Sequence, residues 1–161
     1  MFDTIKLQNG ISIVMEQMTS VRSIALGIFI KNGSINETAK TNGISHFIEH
    51  MLFKGTEKRT SKDIAEEMDN IGGQLNAFTS KEYTCYYARV LDTHIDIAID
   101  VLTDMLFNSK FNDIDIEKES KVILEEISMY EDSPDDVVFT ELQKEIWKNS
   151  PLGYSVLGSK E

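Results

Sequence analysis

Residues 44–53, I-S-H-F-I-E-H-M-L-F, constrain this chain more than any other stretch. Ile44, Phe47, Ile48, Met51, Leu52 and Phe53 run nearly all the way round an α-helix, so the sequence predicts a buried helix. The same helix carries His46, Glu49 and His50. At 3.6 residues per turn the two imidazoles stand one above the other, with Glu49 beside them. Buried imidazoles and a buried carboxylate need partners, and a metal ion gripped by histidines at i and i+4 supplies one. The order H-x-x-E-H reverses H-E-x-x-H, in which such a pair holds zinc. The chain has three histidines, so two of them are committed to this motif.

A second helix, predicted over residues 115–130, answers the first. Counting 100° per residue from Ile116, the side chains of Glu119, Ile123, Glu126, Ile127 and Tyr130 fall within an arc of about 100°. Glu117, Lys118, Lys121 and Glu125 lie opposite. Two carboxylates therefore sit in the apolar stripe, where carboxylates are rare unless paired or bound to a metal. A buried ion pair and a metal site both meet that requirement. The phase separates neighbours, pointing Glu126 inward and Glu125 outward.

The remaining elements follow from periodicity and turn signals. Residues 4–18 predict a hairpin, with Asn9-Gly10 as a two-residue turn and Ile11, Ile13 and Met15 alternating after it. In the next strand, 23–30, both faces are expected to be covered, one by a helix packed close at Gly27. Gly55 is expected to close the metal-motif helix as its C-cap. Thr60 and Asp63 form a capping pair for a helix with Ile64, Met68 and Ile71 inward, ending at Gly72-Gly73. Strands at 74–79 and 83–91 follow. Asp92 or Thr93 caps a helix with Ile95, Ile99, Leu102 and Leu106 inward. His94, in its first turn, reads as a solvated residue. Ser133-Pro134 starts a last helix, 135–148, with Val138, Leu142 and Ile146 on one face. Together these predict an α+β fold: a mixed or antiparallel sheet covered mainly on one face by helices, with a metal between two of them.

A chain of 161 residues fits a single domain, 1–161. Its net charge of −11 argues against nucleic acid or an anionic membrane as partner. No apolar run approaches membrane-spanning length. The lone Cys85 excludes an internal disulfide and, with no secretory signal at the start, leads to an expected cytoplasmic location.

His46, His50 and Glu126 offer two nitrogens and a carboxylate oxygen, the open set of a catalytic zinc site, one ion per chain. Glu49 at i+3 can act as general base on a water there, and Glu119, two turns before Glu126, can support a ligand. These parts suit metal-assisted hydrolysis of an amide.

Residues 46–55, the segment Gly73-Gln74-Leu75-Asn76-Ala77-Phe78-Thr79 and residues 119–130 resemble the insulinase/pitrilysin family of zinc peptidases. The likeness is greatest to bacterial members akin to processing peptidases. It implies zinc at His46, His50 and Glu126, with Glu49 as base and Glu119 in a supporting role. It also implies that Asn76 and Ala77 lie on an edge strand that binds an extended or presequence-like peptide by strand addition. Family members have a longer first half and a second half that closes over substrate. The chain is therefore expected to be an incomplete domain, inactive by itself, needing that half or a partner subunit and able to form a homo-oligomer. The rival expectation is a non-catalytic peptide- or partner-binding subunit, which has no need of Glu49.

Overall fold

Helices cover one face of a three-stranded antiparallel sheet in the computed structural model, which describes residues 2–160. The central strand β5 (Thr84–Leu91) lies between β3 (Ser23–Ile30) and β4 (Gln74–Thr79). It directs Tyr86, Ala88 and Val90 into the core, where all three are buried. Helix α3 (Ile95–Asn108) lays Ala98, Val101, Leu102 and Met105 on that surface. Helices α1 (Ile44–Leu52) and α2 (Ser61–Asn70) complete it with Leu52, Ile64 and Met68. Each large side chain so buried contributes about 1.5–3 kcal/mol relative to exposure. Thr60 caps α2, its hydroxyl accepting from Asp63 N–H at 3.1 Å while the Asp63 carboxylate takes the Thr60 N–H at 2.8 Å.

Helix α4 (Asp113–Glu131) packs on α1, and α5 (Pro134–Ile146) follows it. The hairpin β1 (Phe2–Lys6) and β2 (Ser12–Glu16) forms a separate two-stranded sheet.

Several sequence expectations need correction. The hairpin turn is longer than two residues: Leu7 N–H bonds to Ile11 O at 2.8 Å, and Gly10 takes a left-handed φ of +94° that only glycine adopts without strain. Strand β3 is covered on one face only. Its Ala25, Gly27 and Phe29 are exposed, and a Cβ at Gly27 would meet the Phe29 ring and Cys85 Sγ rather than a helix. Helix α1 keeps Ile44 and Ile48 partly in solvent, so it is buried on one side, not all round. It ends at Leu52 with Phe53 as its cap, leaving Gly55 two residues beyond. In α3 the inward phase runs through Ala98, Val101, Leu102 and Met105, which leaves Ile99 42% exposed. A 3-10 turn over Asp92–His94 precedes that helix, and its N-cap is His94 rather than Asp92 or Thr93. Tyr130 is exposed at the end of α4, and Val138, Leu142 and Ile146 of α5 are exposed too.

Candidate metal centre

Two features position α1. Gly43 is its N-cap at φ +94°, and the buried Glu37 carboxylate accepts from Gly43 N–H at 2.8 Å and Ser45 N–H at 2.9 Å. An anion thus sits where the helix N–H groups and dipole favour it. Burial pushes the Glu37 carboxyl up, but hydrogen bonds from Ser45, Asn42 and Gly43 outweigh it and hold it below the usual range.

The order of contacts shows that α1 and α4 run antiparallel, since early Glu119 meets the end of α1 and later Glu126 meets its middle. His46 Nε2 lies 3.1 Å from His50 Nε2. Glu126 Oε2 lies 3.8 Å from the first and 3.5 Å from the second. Tetrahedral zinc with ligand bonds of about 2.0–2.1 Å sets its ligand atoms about 3.3 Å apart, so these separations bracket what the ion requires. Among the described residues this is the group of three that could hold a metal, its ligand atoms all within 4.8 Å of one another.

The hydrogen-bond pattern fits a cation as well. Glu119 Oε1 is 2.9 Å from His50 Nδ1, so that nitrogen carries the hydrogen and His50 Nε2 turns a lone pair towards His46 and Glu126. A cation shared with the two imidazole Nε2 atoms would stabilise a carboxylate placed beside them at distances too long for good hydrogen bonds. His46 is 7% exposed, and burial first, then His50, pushes its imidazole down to about 4. It is therefore neutral near pH 7, as a metal ligand must be.

Glu49 stands beside this cluster with one carboxylate oxygen held by the Thr79 hydroxyl at 2.5 Å. Burial raises its carboxyl above the usual range; Thr79 and His50 work against that rise and Glu126 adds to it. Glu119 is 4% exposed and bonds to His50 through one oxygen and to Lys54 through the other.

Thr79 ties the metal helix to β4, which is an edge of the three-stranded sheet. Ala77, two residues earlier, shares the half-buried face of Thr79, whereas Asn76 is on the exposed face. The Ala77 N–H bonds to Asn76 Oδ1 at 2.8 Å. A hollow of about 640 Å³ between α2 and β4, bordered by Phe53, Met68, Leu75 and Asn76, runs alongside.

The structure thus brings together His46, His50, Glu126, Glu119 and Glu49, and sets Asn76 and Ala77 on the adjoining edge. Sequence reasoning missed Lys54, Thr79 and Glu37. Lys54 was within reach of it, being four residues past His50 on the same helical line. Thr79 and Glu37 carry no such local signal, because only tertiary packing brings them to α1.

The insulinase model of peptidase family M16 matches residues 12–160. An uncharacterized zinc protease of Bacillus subtilis (strain 168) is 56% identical over 96% of this chain and 38% of its own length. A probable mitochondrial-processing peptidase subunit beta of Arabidopsis thaliana is 45% identical over 94% of this chain and 29% of its own. The crystal structure of a protease from Helicobacter pylori matches 99% of this chain with a TM-score of 0.94 at 22% identity, using 39% of that protein. An inactive peptidase M16 domain from Pseudomonas fluorescens matches with a TM-score of 0.90 at 15% identity, a likeness of fold alone. The chain therefore spans roughly two fifths or less of the length of these relatives. No helix among the described residues is long and apolar enough to cross a membrane.

Proposed function

The chain belongs to the insulinase peptidase family, M16, and from that premise we propose that it is the zinc-binding catalytic part of an endopeptidase acting on extended or presequence-like peptides. The observation that carries this reading is the convergence of His46 Nε2, His50 Nε2 and Glu126 Oε2 beside the Glu49 carboxylate. His46, His50 and Glu126 hold the ion. Zinc bound there supplies a Lewis acid for the scissile carbonyl and brings the pKa of water towards neutrality. Glu49 takes the attacking water's proton and returns it to the leaving amine. Thr79 holds one Glu49 oxygen and leaves the other to carry that proton. Glu119 accepts the His50 Nδ1–H and so keeps Nε2 available.

The peptide adds to the edge of β4. A bound strand would take the Ala77 N–H from the Asn76 side chain and lay its own side chains along the hollow beside α2. Because the relatives are far longer, closure over the peptide falls to further chain or to a partner subunit. The expected compartment is the cytoplasm, in keeping with a single free, buried Cys85.

The test uses the full-length protein loaded with zinc and a quenched peptide library. Glu49→Gln should keep its zinc and lose about 10²–10⁴-fold in turnover, the usual cost of a general base. Cleavage at the parental rate by that variant would remove Glu49 from the role. A parent that binds zinc and peptide without cleaving would favour a binding subunit instead.

A further inference from the structure

Lys54 lies one turn beyond His50, just past the end of α1, with its ammonium 2.5 Å from Glu119 Oε2. The other oxygen of that carboxylate, Oε1, meets His50 Nδ1 at 2.9 Å. Among the described residues these are the two polar partners of the Glu119 side chain, which is only 6% exposed. Lys54, Glu119 and His50 therefore form a continuous line that ends on one of the ligand nitrogens.

We infer that Lys54 is a positioning residue for zinc: it anchors Glu119 Oε2, so that Oε1 is aimed at His50 Nδ1 and His50 Nε2 is aimed at the ion. The physical reason lies in the freedom of the carboxylate. A Glu side chain on α4 has three rotatable bonds, and a single hydrogen bond to His50 does not fix the plane of its carboxylate. Lys54 supplies the second contact. Without it, Oε2 is a buried charged oxygen with no partner, a state costly enough to drive the side chain away towards water. His50 then loses the acceptor that sets its ring orientation and tautomer. Outer partners of this kind change metal affinity by about 10–100-fold.

The inference rests on the proposed zinc site, and its test keeps the two separable. Zinc affinity is measured in the full-length protein by competition with a chromophoric chelator, with no substrate present. Lys54→Met keeps the unbranched stem and removes the charge. Coulomb's law alone says that removing a cation near a dication site should tighten zinc binding. Positioning through Glu119 predicts the opposite sign, a loss of about tenfold. Lys54→Arg should recover most of that loss, because a guanidinium can still reach the carboxylate. Glu119→Gln should weaken binding at least as much as Lys54→Met. Adding Lys54→Met to Glu119→Gln should cost little more, since the two act through one contact.

Lys58→Met, at an exposed lysine, controls for net charge and should leave affinity within about twofold of the parent. If Lys54→Met does not fold, Lys54→Gln carries the test. Parental or tighter zinc binding by the folded Lys54 variant overturns the inference, and so does full additivity with Glu119→Gln. In both of those outcomes the parent still binds zinc and the site assignment stands. A parent that binds no zinc at all overturns the site and the inference together.

Discussion

Glu126 carries its carboxylate to 3.5 Å from His50 Nε2, while Glu125, one residue earlier, faces solvent. The difference is 100° of helical phase, and it makes a sharp experiment. Glu126→Gln removes the charged oxygen from the proposed ligand set and should weaken zinc retention by more than about 100-fold, beyond what outer partners cause. Glu125→Gln changes net charge equally but should retain zinc as the parent does. Elemental analysis after dialysis against a mild chelator distinguishes them, and equal retention would show that Glu126 is not a ligand. Residue identity matters in the same way at His50. Its Nδ1 is engaged by Glu119, so only Nε2 is left for an ion, and the carboxylate behind the ring sets which nitrogen can bind.

At the scale of elements, the metal helix is held from both ends. Glu37 caps its beginning, and the loop that follows it is fixed to α3 by a buried carboxylate, Asp104. Asp104 accepts from Thr56 Oγ1 at 2.6 Å, Arg59 Nη1 at 2.9 Å and Asn108 Nδ2 at 2.8 Å. Arg59 also pairs with Glu67 and Asp100. Burial alone would raise the Asp104 carboxyl, but these hydrogen bonds prevail and hold it below the usual aspartate range. A carboxylate whose folded value lies below its unfolded one contributes stability above the unfolded value. That contribution is lost as pH falls through the folded value. Asp104→Asn should therefore cost about 1–3 kcal/mol at neutral pH. It should also flatten the fall in stability on acidification below the ordinary aspartate range. Denaturant titrations of parent and variant across that range measure both effects. Parallel pH curves would mean that Asp104 does not act through its charge.

At the scale of the molecule, one side is finished and the other is open. The helix side of the sheet is a packed core, whereas the far side shows Phe29, Phe78 and Tyr83 in loose contact, with ring centroids 5.7 and 5.8 Å apart. The β1–β2 hairpin exposes Phe2, Ile13 and Val14, and α5 exposes Val138 and Phe139. Apolar patches and open strand edges of this kind favour association. The 161-residue chain by itself should therefore bind zinc but self-associate. It should also cleave peptides poorly, because positioning of the scissile bond and exclusion of water depend on a cover over β4. Sedimentation and a quenched-peptide assay on the same sample decide the matter. A monomer with efficient turnover would show that these residues suffice.

Local spacing was enough to pair His46 with His50, to set Glu49 beside them, and to turn Glu126 inward and Glu125 outward. Each of these relations lies within one helix, whose geometry the backbone fixes at 3.6 residues per turn. The capping pair at Thr60 was legible for the same reason, whereas the central place of β5 and the open second face of β3 were not, because strand order and sheet coverage join separate elements. Sequence could not say which faces would find partners. Periodicity marks Ile99, Val138 and Ile146 as apolar, but burial depends on what lies opposite, and the structure leaves all three exposed. Nor could it join α1 to β4 through Thr79, or to residue 37 through its cap, since those contacts bridge separate elements. The seating of Glu119 between His50 and Lys54 was likewise decided by tertiary structure, which packed α4 antiparallel on α1 and gave each carboxylate oxygen its own partner.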